Sequence, residues 1–314
     1  MKYINFVNNL IKDEVAKARY LTVFGQNISA GSCLGGLTEG LFASPTGMIL
    51  NTTNAENSLC GLGFGLMMGG VSGVFFMKQL DFLLLGVDQL VNTYNVIRNT
   101  KLKDSGGSFT IVPIVVDNGY QGPQSSLNNL SDFCSIARIP GFAVTNAVDA
   151  ENIFRNHLVA PGFRIIGVSA RLFGEEIIEP KKIVYSSEDS TIFQYSEGKD
   201  ITIVCFNFSF PQGWRLGKDL DNLGIAVSLF NVNSPTPISW GRILDSVRST
   251  GKLVVIDDSK SENIPGASLL AESARLGVSK KHLLITRKLG SDWLNPVSDL
   301  MEIQSEEVAH WVGG

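Results

Sequence analysis

The most constraining feature of this chain is a long uncharged stretch entered through a single carboxylate. From Asn57 to Met77 no residue carries a charge, and Glu56 stands directly before it. Met48-Ile49-Leu50 reads as a short strand after the turn Ser44-Pro45-Thr46-Gly47, and Val71 to Met77 reads as another. Residues 57–69 between them read as a helix. Glu56 therefore falls on the loop where a strand ends and a helix begins, the place where ligands bind in open α/β sheets. A carboxyl group in such apolar surroundings suits proton sharing with a ligand. Its plainer reading is a helix N-terminal carboxylate favoured by the macrodipole. Leu59 to Met77 is long enough to cross a bilayer, but six of its nineteen residues are glycine, with a Gly-Gly break at 69–70. It reads as a buried helix followed by a buried strand, and no membrane partner is expected.

Around this stretch the chain alternates helix and strand. Residues 2–20 carry Ile4, Val7, Ile11 and Val15 near helical spacing, and Leu21 to Phe24 is a short strand ending at Gly25-Gln26-Asn27. A helix is expected over the glycine-rich 30–43, and a second over 83–99. Gly61, Gly65 and Gly69 recur every four residues on one helix face, which points to close approach of another helix. A dinucleotide fingerprint fails, because Leu66 stands where the third glycine belongs. Phe109 to Val116 is almost continuously apolar, like a strand covered on both faces. Helix, strand and helix follow over 127–137, 142–146 and 149–158, and a strand at 163–170 closes the first domain.

Residues 171–199 read as a linker. The alternation resumes with strands at 201–206, 225–231, 252–257 and 282–286, and helices at 212–223, 239–249, 266–275 and 305–312. The fold class is thus α/β, with two doubly wound, mostly parallel-sheet domains at 1–170 and 200–314, as suits a length of 314 residues. A net charge of −4 suggests no nucleic-acid partner. Cys33, Cys60, Cys134 and Cys205 form no C-x-x-C pair, which argues against structural zinc, any other metal held by this chain, and a disulfide framework. Reduced thiols and an N-terminus without signal-peptide character lead to the expectation of a cytoplasmic protein.

The ordered series resembles a known family. It runs from Glu56 through the glycine-rich helix and apolar strand to Asp81-Phe82, and then to a helix with Asp88-Gln89-Leu90-Val91-Asn92. This is similar to the pyrimidine-binding domain of thiamine-diphosphate enzymes, above all the β subunit of the pyruvate-dehydrogenase-type 2-oxo acid decarboxylases and the matching half of transketolase. Trp240 to Val247 followed by Gly251-Lys252-Leu253-Val254-Val255-Ile256-Asp257 resembles the C-terminal domain of the same enzymes.

The resemblance implies an enzyme that makes or breaks a carbon–carbon bond next to a carbonyl of a small keto substrate. Glu56 would activate the cofactor at a ring nitrogen, Phe82 would stack on the pyrimidine, and Asp81 would stand beside it. The plain alternative for Phe82 is core packing. The diphosphate motif of the family, Gly-Asp-Gly with a later Asn, is absent; Asp117-Asn118-Gly119 is the nearest fragment and reads as a turn. An α-type partner holding the diphosphate and most of the Mg2+ contacts is therefore implied, in an α2β2 heterotetramer. Gln26, Gln124 and Ser125 are candidates for a substrate loop. Serine replaces the family's histidine at 125, and Gln26 replaces a carboxylate. Both departures weigh against acyl transfer to a lipoyl carrier, and the missing histidine favours carboligation or ketol transfer over 2-oxo acid decarboxylation. A non-catalytic structural or regulatory paralogue is the competing reading.

Overall fold

Alternate residues of a β-strand point to opposite faces, and in this chain's central strands both sets are apolar. The computed structural model describes residues 1–100, 106–118, 128–234, 239–287 and 301–314. Six strands make the first sheet: β1 (Leu21–Gly25), β2 (Met48–Asn51), β3 (Ser72–Met77), β4 (Ser108–Val115), β5 (Gly141–Val144) and β6 (Gly162–Ser169). Their order is β2-β1-β3-β4-β6-β5, and every neighbouring pair is parallel. The helices around it are α1 (Tyr3–Lys17), α2 (Glu56–Met68), α3 (Tyr94–Asn99), α4 (Leu130–Ala137) and α5 (Ala147–His157). Val23, Val74, Phe76 and Val112 face α1 and α5. Phe24, Phe75, Phe109 and Ile111 face α2 and α4. With both faces covered, the strands read as continuous apolar runs.

The second sheet comprises β7 (Tyr185–Ser186), β8 (Ile192–Ser196), β9 (Ile201–Phe206), β10 (Val227–Val232), β11 (Lys252–Asp257) and β12 (Lys281–Thr286). Its order is β12-β11-β9-β10-β8-β7, parallel except where β8 meets β10 and β7. Leu216 and Leu220 of α6 (Phe210–Asn222) and Val308 and Val312 of α9 (Ser305–Gly313) cover one face. Ile243 and Val247 of α7 (Gly241–Thr250) and Leu269 of α8 (Pro265–Arg275) cover the other. The expected α/β architecture of two doubly wound, mostly parallel sheets is what the chain adopts.

Three expectations need correction. The glycine-rich 30–43 forms no α-helix. Cys33, Leu34, Gly35 and Gly36 take consecutive left-handed φ values of 46°, 54°, 68° and 96°, and the connection from β1 to β2 is a series of turns. Glycine there supplies conformations closed to a right-handed helix. The helix expected over 83–99 is broken: Leu80–Gly86 is a 3₁₀ stretch and Gln89–Thr93 a π segment, before α3 begins. A side chain at Gly86 would stand 2.8 Å from the sulfur of Cys60, so this stretch lies hard against α2. Finally, the segment read as a linker contains β7 and β8, which pair antiparallel onto β10 through β8. Strands of two and five residues leave little periodicity to read.

Candidate active site at a sheet crevice

In the first sheet the chain runs from β1 outward to β2, then crosses back to β3 and on to β4. The crevice between the carboxyl ends of β1 and β3 is therefore a topological switch point, the default ligand site of such a sheet. Gly25 ends β1 with φ 151°, and a Cβ on it would meet the Phe76 carbonyl oxygen at 2.2 Å, so only glycine fits. The turn beyond is pinned by Asn51, whose Oδ1 accepts from the N–H groups of Ile28 (2.9 Å) and Ser29 (3.2 Å). This places Gln26 over the crevice.

A small cleft opens there. Gln26 comes from the loop after β1, Asn54 and Glu56 from the loop after β2, and Lys78 and Phe82 from the segment after β3; Leu59 of α2 closes one wall. Glu56 is 8 % exposed and opens α2, whose N-cap Ala55 offers no side-chain cap. Gln26 Oε1 is buried without a hydrogen-bond partner. An orphaned buried acceptor is costly, and a donor entering the cleft would satisfy it. Phe82 is half-buried and packs against the core beneath α2. The Cys60 thiol, one helical turn from Glu56, is pushed up to about 12 by burial, with the charge of Glu56 adding to the shift. It stays a neutral thiol.

The structure thus brings Glu56, Phe82 and Gln26 together. Asp81 is buried at 5 % exposure, is engaged within the fold and does not line the cleft. Gln124 and Ser125 lie outside the described residues. Sequence reasoning missed Lys78 as a cleft residue. The signal available was its place as the first charge after the uncharged run. Among the described residues no cluster of His, Cys, Asp or Glu could hold a metal ion, and no helix is long and apolar enough to cross a membrane. A larger hollow of about 720 Å³ lies between α6 and residues 171–179 and contains none of the sequence-predicted site residues. Its charged lining residues are mostly exposed.

Asp117, read from sequence as part of a turn, has a different task. It is buried at the end of β4 and accepts from Ser169 Oγ (2.6 Å) and the Arg171 N–H (2.9 Å). Burial pushes its carboxyl up, and the Arg171 guanidinium opposes that. Arg171 also donates to Asp258 Oδ2 at 2.7 Å, and Asp258 accepts from Asn207 Nδ2 (2.9 Å) and the Phe208 N–H (2.9 Å). The carboxyl ends of the two sheets are therefore joined by a buried ionic seam.

No family model matches the sequence. The pyruvate dehydrogenase E1 component subunit beta of Staphylococcus epidermidis is 23% identical over 307 residues, covering 94% of this chain and 91% of that protein. The Staphylococcus aureus subunit of the same name matches equally. Among solved structures, a split gene transketolase, described as an inactive beta4 tetramer, superposes with a TM-score of 0.66 at 16% identity, over 98% of this chain and 96% of that one. The resemblance read from sequence therefore stands along nearly the whole chain, and the fold is shared.

Proposed function

We propose, on this likeness to pyruvate dehydrogenase β subunits, that the chain is the β-type half of a two-component thiamine-diphosphate enzyme. It would make or break a carbon–carbon bond next to the carbonyl of a small keto substrate. The observation that carries the reading is the convergence of Glu56, Phe82 and the orphaned Gln26 Oε1 on one crevice at the switch point. A carboxyl group, an aromatic face and an unsatisfied acceptor suit a flat, nitrogen-bearing ring with an amino donor, and the pyrimidine of thiamine diphosphate is such a ring. Bound there, the cofactor supplies an electron sink that no side chain offers.

The chain's own groups have separable tasks in this reading. Glu56 holds a proton in common with a ring nitrogen, Gln26 Oε1 accepts from the ring's amino group, and Phe82 presents its face to the ring. Leu59 and Phe75 keep water from the carboxyl group. The diphosphate and its Mg2+ fall to an α-type partner, in an α2β2 assembly. The uncharged outer face of α2, with Leu62 41% and Met68 39% exposed, offers such a partner or a second copy its seat. The four unpaired cysteines suit the reducing cytoplasm.

The decisive experiment replaces Glu56→Gln, which keeps size and a hydrogen bond but cannot share a proton. In the complex reconstituted with its diphosphate-binding partner, cofactor binding should persist. Turnover should fall by about two to four orders of magnitude, the scale of one acid–base group. Exchange of the cofactor's thiazolium proton, followed by NMR, should slow in parallel. If exchange and turnover are both untouched, Glu56 is a helix-terminal carboxylate and the structural-paralogue reading takes its place.

A further inference from the structure

The first sheet ends at β2, and that edge is unguarded. No residue from Gly40 to Ala55 carries a charge, and β2 itself holds no proline. Met48 is 52 % exposed and Leu50 38 %, while Ile49 packs against the core beneath α1. The Thr52 N–H donates to the Gly25 carbonyl at 3.0 Å. By alternation Met48, Leu50 and Thr52 turn their backbone groups toward β1, and Ile49 and Asn51 turn theirs outward. Among the described residues β1 is the only strand beside β2, so nothing there pairs with the outward row. Native sheets blunt such edges with charge, proline or a cover. The other outer strands show such devices. β5 is wholly buried, Arg242 stands over the Tyr185 ring of β7, and β12 opens with Lys281 and His282 behind Lys280.

We propose that β2 is an interaction surface for a second copy of this chain, joined antiparallel about a two-fold axis at Leu50. An isologous contact uses the same patch twice, and this edge is complementary to itself. Ile49 of each copy faces Asn51 of the other, and each such pair exchanges both of its N–H···O bonds. The Leu50 residues meet on the axis as a close, non-hydrogen-bonded pair, with Cα atoms about 4.5 Å apart. Charge selects the occupant: an uncharged edge is answered by its own uncharged copy. The junction also sets the turn 44–47 of each copy beside the other's loop that leads to Glu56. Four residues a side bury less than a standard interface, so the pair dissociates on dilution. The inference is separate from the thiamine reading, and either can fail without the other.

Two measurements on the full chain test it. Sedimentation velocity over a concentration series should show a dimer that grows with concentration. Leu50→Lys sets two ammonium groups together on the axis, and should weaken that dimer by about tenfold or more with the thermal melt unchanged. In the second measurement, Leu50→Cys is treated with copper–phenanthroline as oxidant. A Cα spacing of about 4.5 Å lies within disulfide range, so a reducible covalent dimer should form. It should form far faster than in the parent, whose own cysteines are unpaired, or in Leu223→Cys, at a 56 % exposed position of the second domain. A cross-link no faster than in Leu223→Cys overturns the proposal, as does a dimer indifferent to Leu50→Lys. So does a chain that stays monomeric alone and shows a Leu50 contact only with an α-type partner, which gives the edge to that partner.

Discussion

Asp257 is fully buried at the end of β11, where its Oδ1 accepts from the Ser259 N–H at 3.0 Å. Burial pushes its carboxyl up to about 6, Ser259 opposes the shift, and the neighbouring Asp258 adds to it. A carboxyl group raised in the folded state contributes stability that is complete below its unfolded value near 4 and is lost as pH rises through 6. Asp257→Asn removes that loss. Relative to the parent, the variant should gain about 2–3 kcal/mol between pH 4 and pH 8, whatever constant cost the buried amide adds, as read from urea melts at several pH values. An advantage independent of pH would show that the carboxyl group does not titrate in this window. Asp149, also raised to about 6 by burial, is a contrasting case. It accepts from Thr145, Asn146, Asn231 and Asn233, so an amide there would turn a donor toward donors. The sequence singled out Glu56 by the silence of its surroundings. It could not single out Asp149 or Asp257, whose burial depends on what packs over them.

At the scale of elements, α2 shows how much a spacing can reveal. Gly61, Gly65 and Gly69 read from sequence as a face made for close approach; α2 carries Gly61 and Gly65, and Gly69 is its C-cap. A Cβ at Gly65 would meet nothing within 4 Å, and one at Gly61 would reach only Gln89 at 3.7 Å. Gly63, off that stripe, is the tight one: a Cβ there would stand 2.2 Å from the Phe109 ring. The two positions should part company. Gly63→Ala should destabilise the chain by about 1–3 kcal/mol in thermal or urea melts, since the sheet must yield. Gly65→Leu should leave the folded chain as stable or slightly more so, because leucine favours helix over glycine, and should change the mass seen by light scattering. An unchanged assembly would mean that this face docks nothing. Spacing located the stripe, but not the glycine that the fold needs. The same limit explains the segments 30–43 and 83–99. Local apolar spacing there reads as helix, while left-handed glycines and contact with Cys60 impose other turns.

For the molecule as a whole, the seam between the sheets is the feature that no stretch of sequence announces. Arg171, 9 % exposed at its side chain, bridges Asp117 of the first sheet and Asp258 of the second. Arg287 stands 3.7 Å from Asp258 as a second guanidinium. Removing one member of a buried ionic group strands the others, at a cost of about 3–5 kcal/mol. Arg171→Met should therefore lower stability by that order, and calorimetry should show the transition broadening or dividing as the two sheets lose their coupling. A single sharp transition at the parent's temperature would show that apolar contact alone joins them. What the sequence determined by itself was the architecture and the place of Glu56: strand and helix periods are local, and a lone carboxylate beside an uncharged run is visible without partners. The resemblance points to Gln26 and Phe82, but only the tertiary structure brings them, with Lys78, to one cleft beside it. Gln26 comes from the loop after β1, whereas Lys78 and Phe82 follow β3, and Asp117 meets Asp258 across 141 positions of chain. Such meetings depend on strand order and sheet packing, and local pattern carries no record of which strands will be neighbours.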